Sequence, residues 1–136
     1  MRMSPSLLVF IGLIAFCAGL VSAQDCPELI GQDATIGAKA VTVSGVYAYV
    51  GNGVEVIVMD VSTPAAPFEV TRRTLAAGQV RDLAVAGDYL YVAGDTGGLR
   101  IYDVTNPAAP DEVGFDDTAE FAWGVDVAGD YAYVGD

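Results

Sequence analysis

The 136-residue chain sets six Lys and Arg against eighteen Asp and Glu, a formal net charge of −12, and it has no histidine. A surface this acidic repels nucleic acid and anionic lipid at long range, and without an imidazole there is no Ser-His or Cys-His nucleophile pair.

The first 23 residues read as a cleaved secretory signal. Arg2 and the amino terminus form a short basic region, Leu7 to Gly19 is an apolar run, and Val21-Ser22-Ala23 places small residues where a signal peptidase reads them. Gln24 is the expected first residue of the mature chain. A retained membrane anchor is the alternative, but the strongly apolar part is shorter than the ~20 residues a span needs. A lipoprotein site is not expected, because Cys17 follows Phe16 and Cys26 follows Asp25. Cleavage removes Arg2 and makes the net charge one unit more negative. Residues 24–39 form a lead-in segment. Its Cys26 is the one cysteine left: a free thiol, an intermolecular bridge, or half of a disulfide whose partner lies elsewhere.

From residue 40 the chain repeats itself. V-S-G-V-Y-A-Y-V at 43–50 returns as V-A-G-D-Y-L-Y-V at 85–92 and V-A-G-D-Y-A-Y-V at 127–134. Each block predicts two strands joined by a two-residue turn with Gly first (Gly45-Val46, Gly87-Asp88, Gly129-Asp130), as a II′ hairpin requires. In the second repeat the strands are Leu83–Ala86 and Tyr89–Ala93. The next turn contains Asn52-Gly53 in the first repeat, where both residues tolerate positive φ, and Gly94-Asp95-Thr96-Gly97-Gly98 in the second. Third strands are expected at Val54–Val61 and Leu99–Val104. They run into Asp-Val-(Ser/Thr)-x-Pro-Ala-Ala-Pro at Asp60–Pro67 and again at Asp103–Pro110, where proline ends the pairing. Weaker fourth strands follow at Phe68–Thr74 and Glu112–Phe115. The charges Glu69, Arg72, Arg73, Asp111, Glu112, Asp116 and Asp117 there discourage strand addition.

A repeat of about 40–45 residues built from short strands and tight turns is the signature of a propeller blade. The expected fold is all-β, an incomplete β-propeller of four-stranded antiparallel blades with about two and a third repeats over residues 40–136. Both faces of the strands are apolar: Tyr89 and Tyr91 point one way and Leu90 and Val92 the other. Blades stacked around an axis cover both. A β-sandwich is the structural runner-up, and it leaves so regular a repeat unexplained. The chain reads as truncated within its third repeat, an N-terminal fragment of a longer protein. It is therefore expected to self-associate or to pack against the remaining blades of a longer chain.

V-I-V-M-D-V at 56–61 and L-R-I-Y-D-V at 99–104, each followed by the Pro-Ala-Ala-Pro turn and preceded in the second copy by G-D-Y-L-Y-V at 87–92, resemble the LVIVD-repeat family. The resemblance covers nearly all of residues 40–136. It implies an exported β-propeller, often a module of larger surface proteins, and it supplies no catalytic residues to carry over. Two departures stand out: Val46 replaces the turn Asp of the other copies, and the repeats are too few to close a ring.

Asp60 and Asp103 recur at the same place before a turn, as residues capping that turn would. Asp88 and Asp130 read as turn residues. Asp95 lies in a Gly-rich loop, and Asp116, Asp117 and Glu120 form a local acidic cluster of the oxygen-donor type that holds calcium, but no Asp-x-Asp-x-Asp-Gly loop accompanies them. Trp123 enters the innermost strand, where an aromatic packs between blades; the alternative is a sugar- or peptide-stacking platform. The Gly-rich segments lack the Lys and helix start of a phosphate loop. Lys39, the single lysine, precedes the first repeat. Asp82 and Asp126, near the starts of innermost strands but out of register, are the candidates for paired-carboxylate glycoside hydrolysis. The expectation is an exported, non-catalytic module without cofactor or metal that binds a protein or an extracellular polymer. A fragment of a propeller glycoside hydrolase is the alternative.

Overall fold

The computed structural model describes residues 37–136. The predicted signal at 1–23, Cys26 and most of the lead-in at 24–39 lie outside the described residues. Ten strands follow in order: β1 (Ala40–Ser44), β2 (Tyr47–Asn52), β3 (Glu55–Asp60), β4 (Phe68–Thr74), β5 (Asp82–Ala86), β6 (Tyr89–Ala93), β7 (Leu99–Asp103), β8 (Asp111–Asp116), β9 (Gly124–Ala128) and β10 (Tyr131–Gly135). They build two four-stranded sheets, β1-β2-β3-β4 and β5-β6-β7-β8, and a two-stranded sheet of β9 and β10. All pairings are antiparallel, and no helix occurs among the described residues. The chain is all-β and its sheets are propeller blades, as the repeat predicts.

The blades follow from turn chemistry. Ser44 pairs with Tyr47, Ala86 with Tyr89 and Ala128 with Tyr131, so each first hairpin has a two-residue loop. Gly45, Gly87 and Gly129 hold φ of 59°, 57° and 60°, while Val46, Asp88 and Asp130 stay negative. Positive φ at the first position alone is the II′ pattern, so Val46 serves as well as Asp. The second turn differs from expectation. Asn52 pairs with Glu55, which makes Gly53-Val54 the loop and leaves Asn52 in β2. Only Gly53 takes positive φ there.

The third strands end one residue early at Asp60 and Asp103 because Val61 and Val104 turn back. Their amides donate to the carbonyls of Val46 and Asp88 at 2.8 Å. The register slips at Val58/Met59 and at the equivalent Ile101/Tyr102. Such bulges raise the local twist and spoil an edge for pairing.

The alternation of side chains decides the packing. Tyr49, Val56 and Val58 from the first sheet meet Leu83, Leu90, Val92 and Tyr102 from the second in one core. The opposite face of the second sheet, with Leu99, Ala84, Tyr91 and Ile101, meets Ala122, Val125 and Val134 of the third. Each fully buried Val or Leu contributes about 1.5–3 kcal/mol relative to exposure. β5 packs between β1 and β9, so the first strands lie where the blades converge. On the third sheet, Tyr131 and Tyr133 are 70% and 59% exposed, whereas Tyr49, in the position of Tyr133, is 2% exposed.

Candidate functional site

The starts of β1, β5 and β9 share one end of the molecule with the β2–β3 and β6–β7 turns, because each first hairpin reverses at the other end. Just before each first strand the backbone repeats one contact. The amides of Lys39, Arg81 and Trp123 donate to the carbonyls of Gly51, Ala93 and Gly135, all at 2.8 Å. These three residues are therefore equivalent, one per blade. In the second and third blades each follows a fully buried apolar residue, Val80 or Ala122.

Around Arg81 the side chains converge. Its Nε and Nη2 donate to Asp95 Oδ2 at 3.1 and 2.5 Å, and its guanidinium carbon lies 4.6 Å from the centre of the Trp123 ring. Phe121 meets the indole edge-on at 6.4 Å. Asp95 also exchanges two backbone hydrogen bonds with Ala122, in a bridge between the second and third blades. Asp82 closes the joint: Oδ1 accepts from the Leu83 amide at 2.9 Å and Oδ2 from the Val125 amide, on the next blade, at 3.1 Å. Between the first and second blades the corresponding link is lighter, Lys39 Nζ to Gln79 Oε1 at 3.4 Å. A cation over an indole face contributes ~0.5–2 kcal/mol, depending on desolvation.

Other carboxylates hold turns. Asp60 Oδ1 accepts from the Ser62 amide at 2.8 Å, and Asp103 Oδ1 from the Thr105 amide and hydroxyl at 2.9 and 2.7 Å. The Ser62 and Thr105 side chains, and then their amides, pull Asp60 and Asp103 below the usual carboxylate range. Both form the turn caps expected of them. Asp126 accepts from the Val127 amide. Thr118 donates to the Glu120 carbonyl, not to its carboxylate. Among the described residues, no three Asp, Glu, Cys or His side chains are placed to hold a metal ion.

A second polar cluster lies on the outer strands. Glu112 accepts from Arg100 Nη1 and from the Tyr102 hydroxyl, both at 2.9 Å. Burial first, then the hydrogen bond to Glu112, push the Tyr102 hydroxyl up to about 12. Arg100 and Tyr102 take the positions of Ile57 and Met59 in the first blade, a change visible in the sequence. The network they form with Glu112 is not visible there, because it depends on the β7–β8 register.

Sequence reasoning put Asp82, Asp95 and Trp123 in three separate roles, and the fold brings them to one joint. It missed Arg81 as the group joining Asp95 to the indole. The signal was present: Arg81 occupies the Trp123 position one repeat earlier. Trp123 is 57% exposed, yet its ring meets Arg81 across the joint between the second and third blades. Arg81 covers part of the ring.

A family model described as LVIVD repeat matches residues 37–74, 77–118 and 121–136. These limits coincide with the three sheets. No curated protein matches the chain.

Proposed function

The chain belongs to the LVIVD-repeat family, and on that premise we propose that it is an exported, non-catalytic β-propeller module that binds a protein or a surface polymer. One observation carries the reading. The carboxylates best placed for chemistry are already engaged: Asp82 by two backbone amides, Asp95 by Arg81, and Asp60 and Asp103 by their own turns. Asp82 has both oxygens occupied, and the other three each serve a turn or the blade joint through one oxygen, which supports structural rather than catalytic roles. What remains for function is surface, which repeat architectures present in quantity. The exposed Tyr131 and Tyr133 add a face suited to a further blade, from a longer chain or from a second copy. Export rests on the signal-like residues 1–23.

The test combines binding with turnover. The exported protein is assayed against surface extracts separated into protein and polysaccharide fractions, and against a panel of glycosides and esters. Saturable binding without turnover is expected. Turnover abolished by Asp82→Asn or Asp103→Ala at unchanged melting temperature would overturn the reading in favour of a glycoside hydrolase.

A further inference from the structure

At the end where the first strands begin, three blades present a strip of side chains that the blade joint does not fully use. Lys39 and Gln79 touch across the first joint, and Arg81, Trp123 and Phe121 touch across the second. Gln79 and Arg81 flank the buried Val80, and Phe121 and Trp123 flank the buried Ala122, so each pair projects away from the core. Trp123 and Phe121 are 57% and 47% exposed. Lys39 forms no ion pair among the described residues, and Arg81 Nη1 donates to none of them.

We propose that this strip, Lys39-Gln79-Arg81-Trp123-Phe121, is the binding face for a neutral, hydroxyl-rich polysaccharide. The inference rests on the binding-module reading and names its partner. Four observations select the occupant. The parts of the Trp123 and Phe121 rings left exposed beside Arg81 suit the flat C–H face of a sugar ring, as they suit any apolar surface. Lys39 of the first blade and Gln79 and Arg81 of the second are donors beside them, suited to hydroxyl oxygens. A peptide cannot add here as a strand, because the amides of Lys39, Arg81 and Trp123 are consumed by Gly51, Ala93 and Gly135. The net charge of −12 disfavours a polyanion at long range, and the one arginine of the strip is paired with Asp95.

Asp95 gives this end a second mark of function. It is the only non-glycine among the described residues with positive φ, 57°. A strained residue kept at a blade joint suits a group that must hold another in place, and here it holds Arg81 over Trp123.

Trp123 is the only tryptophan of the chain, so its fluorescence reports on this face alone. The full chain is titrated with cellohexaose, laminarihexaose, xylohexaose, chitohexaose and polygalacturonate. A saturable fluorescence change is expected with at least one neutral oligosaccharide and not with polygalacturonate. Lys39→Ala and Gln79→Ala should each weaken that binding by roughly three- to tenfold, the range of one lost hydrogen bond, at unchanged melting temperature. Trp123→Ala should abolish it by calorimetry, and if that variant fails to fold, the two exposed polar variants and Trp123→Phe decide. No saturable change across the panel at millimolar sugar overturns the proposal, as does preference for polygalacturonate or equal binding by Trp123→Ala. A protein partner held equally by wild type and Trp123→Ala also overturns it, while leaving the binding-module reading intact.

Discussion

Asp95 occupies in the second blade the left-handed backbone position that Gly53 occupies in the first, with φ of 57° against 59°. The carbonyl of each accepts from the amide of the next blade's buried residue, Ala122 or Val80. The side chain makes the difference, because the Asp95 carboxylate reaches back to Arg81 and sets it against Trp123. An L residue in this conformation costs about 1–2 kcal/mol, and Asp is among the few that adopt it as single residues.

Replacing Asp95 therefore separates backbone from carboxylate. Asp95→Asn keeps the local conformation and an acceptor oxygen for Arg81 but loses the charge, and is expected to destabilise by about 1 kcal/mol, as a charge-assisted hydrogen bond becomes an ordinary one. Asp95→Ala should cost more, because Ala is poorly suited to positive φ. Urea denaturation followed by tryptophan fluorescence checks both. Equal midpoints for wild type and Asp95→Asn would show that the ion pair does not tighten the joint.

Gly78 has φ of 74°, and a Cβ added there would run into the Gly94 carbonyl and the Gly97 amide. Neither backbone group can yield without moving the β6–β7 loop that carries Asp95. Gly78→Ala is expected to destabilise by at least about 2 kcal/mol through strain and overpacking. A thermal melt within a degree of wild type would contradict the close approach.

Acid should loosen the Pro-bounded turns. Asp60 and Asp103 have folded-state pKa values below their unfolded ones, so their contribution is complete above the unfolded value of about 3.9. It is lost as pH falls through the lower folded value. Asp103→Ala and Asp60→Ala are expected to lower the melting temperature near neutral pH and to flatten its decline on acidification. Parallel pH profiles for wild type and the double variant would remove the carboxylates from the account.

At the alkaline limit the sign reverses. The Tyr102 hydroxyl is raised from 10.0 to about 12, so the folded state holds its proton longer than the unfolded chain. Stability from this group is intact below about pH 10 and lost as pH rises toward 12. Burial and the neighbouring Tyr47 raise the Tyr49 hydroxyl as well, so tyrosinate absorbance should show late-titrating phenols of which Tyr102→Phe removes one. Glu112→Gln should bring that one earlier, since the carboxylate both accepts its proton and opposes its charge.

Export is checked by mass. Protein recovered outside the cytoplasm should begin at Gln24, free or cyclised to pyroglutamate. A membrane-bound product that keeps residues 1–23 would favour the anchor.

The blades were legible in local sequence. Paired apolar faces, Gly-first two-residue loops and the Asp-Val-(Ser/Thr)-x-Pro-Ala-Ala-Pro turn are local features, and local steric rules fixed the strands to within a residue or two. The roles of Asp60 and Asp103 were legible for the same reason, since their partners lie two residues away. The Asn52-Gly53 turn was misplaced by one residue because β2–β3 pairing, not turn preference alone, sets which residues form the loop. What joins the blades emerged with their packing. Asp82 meets Val125 43 positions along the chain, and Arg81, Asp95 and Trp123 meet because β5 and β9 pack side by side. Such contacts depend on the angle and spacing between sheets, which no local pattern encodes.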